Sequence, residues 1–92
     1  MNNLNSILIE GKVSGISITE GRISFDVSVS HKDGTFEVPV FATNALAEGL
    51  SKSMVPNFKV RVVGRLCKVD GLTTIHAEHV EIAPRMKNGE NV

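Results

Sequence analysis

Ile23-Ser24-Phe25-Asp26-Val27-Ser28-Val29-Ser30 alternates apolar with polar residues without a break. Successive side chains of an extended strand point to opposite faces, so Ile23, Phe25, Val27 and Val29 read as inward and the serines and Asp26 as outward. Everything else in the chain is arranged around this strand.

Upstream, Thr19-Glu20-Gly21-Arg22 reads as a turn. Before it, Ile7, Ile9, Gly11 and Val13 share one face, and Leu8, Glu10, Lys12 and Ser14 share the other. Gly11 and Gly15 interrupt this first strand, and glycine inside a strand marks a bulge or the bend at a barrel corner. Downstream, His31-Lys32-Asp33-Gly34-Thr35 holds an Asp-Gly step suited to a hairpin turn, because glycine tolerates positive φ. A third strand is predicted from Phe36 to Ala42, with Phe36, Val38 and Val40 on one side and Glu37, Pro39 and Phe41 on the other. Pro39 has no N–H to give to a ladder, which places it at an edge or a bulge.

The single helical stretch is Asn44–Lys52, with Leu46 and Leu50 one turn apart and Thr43 or Asn44 placed to cap it. Phe58, Val60, Val62, Gly64 and Leu66 then alternate with Lys59, Arg61, Val63, Arg65 and Cys67 in a long, regular fourth strand. Asp70-Gly71 supplies another tight hairpin, and a fifth strand runs from Leu72 to Ile82. Its inward set changes phase between Ile75/Ala77 and Val80/Ile82, which requires a bulge near Glu78-His79. Three strands, a short helix and two more strands is the order of the OB-fold, a five-stranded Greek-key barrel whose sheet face and loops bind oligonucleotides or oligosaccharides. The expected class is therefore all-β. One domain is expected over residues 1–86, followed by a flexible polar tail over 87–92.

Composition narrows the function. A chain of 92 residues buries only about two-thirds of its unfolded surface, so its core is thin and self-association is expected. Ten basic and ten acidic residues cancel, so any attraction to nucleic acid must be local. Cys67 is the only cysteine, which excludes an internal disulfide and a cysteine-based zinc site and fits a reducing compartment. The N-terminus lacks a signal-like pattern, and no apolar run approaches the ~20 residues of a membrane span. A cytoplasmic protein with no membrane association is expected.

No constellation for catalysis emerges. His76 and Glu78 share a strand face but lack the third and fourth ligands of a zinc site, and no nucleophile elbow or phosphate-cradling glycine loop is present. Neither a cofactor, a metal nor an enzymatic activity is expected. Charge is more informative: between Gly49 and Val69 lie Lys52, Lys59, Arg61, Arg65 and Lys68 with no acidic residue. Lys59, Arg61 and Arg65 share one strand face and would make a stripe able to follow a phosphate backbone. The same stripe fits a face that merely keeps a strand soluble and unpaired. Single-strand binders add aromatic platforms, and the chain has no Trp or Tyr. Alternation turns Phe25, Phe36 and Phe58 inward and leaves Phe41 as the exposed aromatic, with His31 at a hairpin tip as a second stacking candidate.

Taken together, Asn5-Ser6-Ile7-Leu8-Ile9-Glu10-Gly11-Lys12-Val13, Phe25-Asp26-Val27-Ser28-Val29-Ser30, Phe36-Glu37-Val38-Pro39-Val40-Phe41-Ala42 running into Asn44-Ala45-Leu46-Ala47-Glu48, Val60-Arg61-Val62-Val63-Gly64-Arg65-Leu66 and His76-Ala77-Glu78-His79-Val80-Glu81-Ile82 resemble, in order, the strands of bacterial single-stranded DNA-binding proteins. The resemblance implies binding of single-stranded DNA without strong sequence preference, in replication, recombination or repair, by a homodimer or homotetramer whose first strands contribute to subunit contacts. It implies base stacking at Phe41 and near Phe36, and backbone contacts at Lys12, Arg61 and Arg65. With the charge pattern and the hairpin tip, the candidate interface is Lys12, His31, Lys32, Phe36, Phe41, Lys59, Arg61, Arg65 and Lys68. The tryptophans of that family have no counterpart here, and its acidic partner-recruiting C-terminal tip is not expected. The compact length and the last strand also resemble primosomal replication protein B, a replication-restart accessory. RNA binding, or an OB module that serves only protein assembly, are the other readings.

Overall fold

Five strands and one helix follow the predicted order: β1 (Ile7–Thr19), β2 (Arg22–His31), β3 (Gly34–Thr43), α1 (Asn44–Ser53), β4 (Lys59–Val69) and β5 (Leu72–Ile82). They are seen in a computed structural model that describes residues 5–82. The expected tail over 87–92 and both limits of the 1–86 domain lie outside the described residues. The strands close into a barrel in the order β1-β2-β3-β5-β4, with α1 between β3 and β4 in sequence, which is the OB-fold. Every pairing is antiparallel except β3 with β5, which meet in parallel through Val40↔Ile75 and Phe41↔His76.

Alternation puts Val13, Ile23, Phe25, Val27, Val40, Ala42, Val60, Val62, Ile75 and Ala77 into the barrel, and Ala47 and Leu50 of α1 join the same core. Burying each of the larger side chains contributes about 1.5–3 kcal/mol, and these must offset the ordering of the whole chain. Both predicted bulges are present. Between Ser14↔Asp26 and Ser17↔Ser24 the β1 side has one residue too many, and Gly15 absorbs the bend at φ +58°. In β5, Val63↔His79 is followed by Gly64↔Ala77, which leaves Glu78 as the extra residue. Gly11 serves close approach: a Cβ there would sit 2.0 Å from the Ser28 carbonyl oxygen. Pro39 pairs with Asp26 on β2 and lies next to the short β3–β5 contact, where β3 has an open edge.

Three local expectations are corrected. The β2–β3 loop is Lys32-Asp33, closed by His31↔Gly34, so β3 begins at Gly34 and the positive-φ glycine follows the loop rather than lying in it. Thr43 occupies the N-cap position of α1 without a side-chain capping bond. Instead Asn44, at φ +56°, donates its N–H to the Gly21 carbonyl at 3.0 Å and ties the helix start to the β1–β2 turn. Phe36 and Phe58, read as inward, are 52% and 36% exposed. Phe36 has the predicted phase, opposite Val29, but here the β2–β3 hairpin runs past the barrel and its inner face meets no opposing sheet. Phe58 precedes β4 and is held by its backbone, its carbonyl accepting the Val13 N–H at 2.9 Å.

Candidate nucleic-acid interface

The outer face of β2 presents Arg22, Ser24, Asp26, Ser28 and Ser30, and β3 places Thr43, Phe41, Pro39, Glu37 and Thr35 directly opposite them. At ~3.4 Å per residue, Arg22 and Ser30 are about 27 Å apart along the strand. That length suits the lower end of the ~4–16 nucleotides that OB-folds cover.

Phe41 has the predicted outward phase but not the predicted exposure: only 7% of it is accessible. The His76 imidazole stacks on its ring, with centroids 4.6 Å apart and planes 4° from parallel. The Arg22 guanidinium lies 4.1 Å from the same ring centroid, an attractive cation–π placement. His76 is itself exposed, so the surface offered to a ligand is an imidazole backed by a phenyl ring. The Thr43 hydroxyl approaches His76 Nε2 at 3.5 Å. The parallel register Phe41↔His76 creates this stack, and neither Arg22 nor His76 was among the candidate interface residues. Arg22 is legible as outward from its phase with Ser24; the meeting with His76 depends on barrel closure between residues 35 positions apart.

Beside the stack a groove of 440 Å³ runs between the two long hairpins, lined among others by Gly15, Arg22, Asp26, Phe41, Asp70 and Leu72. Phe36 and the His31-Lys32 tip lie at the far end of the β2–β3 hairpin, and Asp33 donates its N–H to His31 Nδ1 at 3.3 Å. Lys68 stands opposite Thr73 in the β4–β5 hairpin.

The basic stripe is real in sequence and largely neutralised in space. Arg61 Nε donates to Glu10 Oε2 at 2.6 Å, and its Nη1 lies 3.5 Å from Glu81 Oε1. Arg65 Nε donates to Glu78 Oε2 at 2.8 Å. The hydrogen bond and charge of Glu10, with Glu81 adding to them, hold the Arg61 pKa above its ordinary value. The acidic residues come from β1, remote in sequence, and from β5, which the Asp70-Gly71 hairpin folds back on β4. Among the described lysines without a carboxylate partner, Lys12 and Lys59 stand directly opposite each other as a cross-strand pair. Like charges directly opposite on neighbouring strands destabilise a sheet. The pair borders a cleft of 420 Å³ that also holds Ser28, Ser30, Thr35 and Glu10, whose carboxylate is committed to Arg61. No group of three or more potential metal ligands converges among the described residues: His76 is on Phe41, Glu78 is on Arg65, and His79 faces Val63. No described helix is long and apolar enough to cross a membrane.

No protein-family model matches this chain, and no curated protein does. Solved structures do. The dimeric N-terminal domain of PriB protein from Thermoanaerobacter tencongensis superposes with a TM-score of 0.70 at 20% identity, covering 87% of this chain and 97% of that one. A small single-stranded DNA-binding protein from Streptomyces coelicolor gives 0.66 at 20% identity, over 92% of this chain and 96% of the other. The second single-stranded DNA-binding protein (SSBb) of Mycobacterium smegmatis gives 0.70 at 21% identity, over 85% and 87%. At these identities the likeness establishes a shared fold: the chain has the OB barrel that these proteins have, across nearly the whole of its described length.

Proposed function

We propose that the chain binds single-stranded DNA along the outer face of β2 and β3, as an accessory of replication, recombination or repair inside the cell. The observation that carries the reading is the Arg22–Phe41–His76 stack: an exposed imidazole resting on a phenyl ring that also carries a cation, beside a groove lined by Arg22 and Phe41. Bases stack there and phosphates meet Lys12 and Lys59 at the other end, with no bond made or broken. The names of two structural neighbours, both single-stranded DNA-binding proteins, agree with it.

The test is fluorescence anisotropy with a labelled, unstructured ~35-nucleotide DNA of mixed sequence at low salt, with duplex DNA as control and a matched RNA to separate the two sugars. Binding to the single strand and not the duplex is expected. One stacked base is worth about 1–3 kcal/mol, so His76→Ala should weaken binding about fivefold or more. Failure to bind any single strand would overturn the proposal. Self-association into a dimer or tetramer is part of the same reading, supported by Leu8, 63% exposed on the outer face of β1 and opposite Val63. A monomer mass by light scattering at micromolar concentration would contradict it.

A second reading, an OB module used only for protein assembly, is favoured by the engagement of Arg61 and Arg65 with carboxylates. Salt separates the two. Contacts to about four phosphates give a log–log slope near −3, whereas an assembly module binds no oligonucleotide at any salt.

A further inference from the structure

The groove beside the aromatic stack is lined by two carboxylates, Asp26 and Asp70, and one cation, Arg22, whose guanidinium lies on Phe41. That balance is wrong for a phosphate. Like charges a few ångströms apart at a protein surface repel strongly. A nucleotide entering this groove therefore keeps its phosphate outside and presents its base.

Asp26 is the better placed of the two acids. It sits on the outer face of β2 between Ser14 of β1 and Pro39 of β3, half-buried, and its side chain makes no hydrogen bond or ion pair with another described residue. Its side chain lies over Gly15 of the β1 bulge. Asp26 Oδ2 is 3.0 Å from the point where Gly15 would carry a Cβ. The glycine bulge at φ +58° thus does two things: it bends β1, and it leaves the room in which the carboxylate lies. An unpartnered carboxylate that lines the same groove as Arg22 and Phe41 is an acceptor waiting for a donor.

Unpaired bases expose their Watson–Crick edges to such a group. Cytosine offers its N4 amino group, adenine N6, and guanine N1–H with N2. Thymine offers only N3–H, flanked by two carbonyl oxygens that a carboxylate repels. Given the single-strand reading above, on which this rests, we infer that Asp26 makes the groove selective for bases bearing an exocyclic amino group and against thymine.

The experiment compares labelled ~35-nucleotide dC and dT at pH 8, where dC stays unfolded, for the parent chain, Asp26→Ala and the near-isosteric Asp26→Asn. A matched side-chain contact to a base edge discriminates the right base from the wrong one by about fivefold or more. The parent chain is expected to prefer dC about tenfold. Asp26→Ala brings the two to near parity, and Asp26→Asn gains affinity for dT because its amide N–H donates to a thymine carbonyl. Equal or tighter binding of dT by the parent chain overturns the inference and leaves single-strand binding standing. A dC-to-dT ratio unchanged in both variants overturns it as well. If neither homopolymer binds, the single-strand reading fails and takes this inference with it.

Discussion

A single atom decides some positions in this chain. At Gly11 a Cβ would stand 2.0 Å from a backbone oxygen of β2, and backbone has nowhere to go. Gly11→Ala is expected to cost at least about 2 kcal/mol, as overpacking in a fixed framework does. For a domain of this size that lowers Tm by roughly 8–16 °C. Gly49, in the interior of α1, has nothing within 4 Å of its missing Cβ and no positive φ. Gly49→Ala therefore should raise Tm by about 2–8 °C, since alanine restricts the unfolded chain and favours helix by ~0.5–1 kcal/mol. Thermal melts followed by circular dichroism check both signs, and a neutral Gly11→Ala would mean that β1 and β2 do not approach as described. Both residues are glycine in the sequence, and only neighbours remote in the chain tell them apart.

At the scale of elements, β4 carries a charge pattern whose meaning changes when β1 and β5 are placed beside it. The row Glu10–Arg61–Glu81 crosses three strands and is exposed, so solvent screens it and Arg61→Ala should leave Tm nearly unchanged. A guanidinium whose proton is held more tightly in the folded state stabilises it everywhere below its unfolded pKa. Arg61 therefore contributes no loss of stability at neutral or mildly alkaline pH. Lys12 and Lys59 behave differently, being opposite each other and uncompensated. The double variant Lys12→Ala/Lys59→Ala is expected to reduce the slope of log K against log salt by about 1.4, from ~0.7 per single-strand phosphate contact. Arg61→Ala should leave that slope nearly unchanged. A salt titration in which Arg61→Ala, and not the lysine pair, flattens the slope would return the phosphate path to the β4 stripe.

The whole molecule is a barrel with one weak seam. β2 and β3 pair along their full length, from Arg22↔Thr43 to His31↔Gly34, whereas β3 and β5 share two register pairs. The Arg22–Phe41–His76 stack bridges that seam from outside. Local openings follow local contact density, so amides bridging β3 and β5 are expected to exchange with deuterium at least tenfold faster than those bridging β2 and β3. Equal protection along both pairings would contradict a seam. The two hairpins project far enough to stretch the molecule to 46 × 34 × 25 Å, and this is where apolar residues read as core, Phe36 among them, come to lie in solvent.

The amino-acid sequence by itself determined the strands, their faces, the helix between β3 and β4, the bulges at Gly15 and Glu78 and hence the OB barrel. Each of these rests on an alternation or a turn chemistry confined to a few neighbouring residues. The tertiary structure alone decided which outward residues meet. Phe41 lost its exposure to Arg22 and His76, Arg61 and Arg65 found carboxylates, and Lys12 was set against Lys59. Periodicity assigns a side chain to a face, but its neighbours on that face are supplied by strand order, register and barrel closure, which bring together residues tens of positions apart.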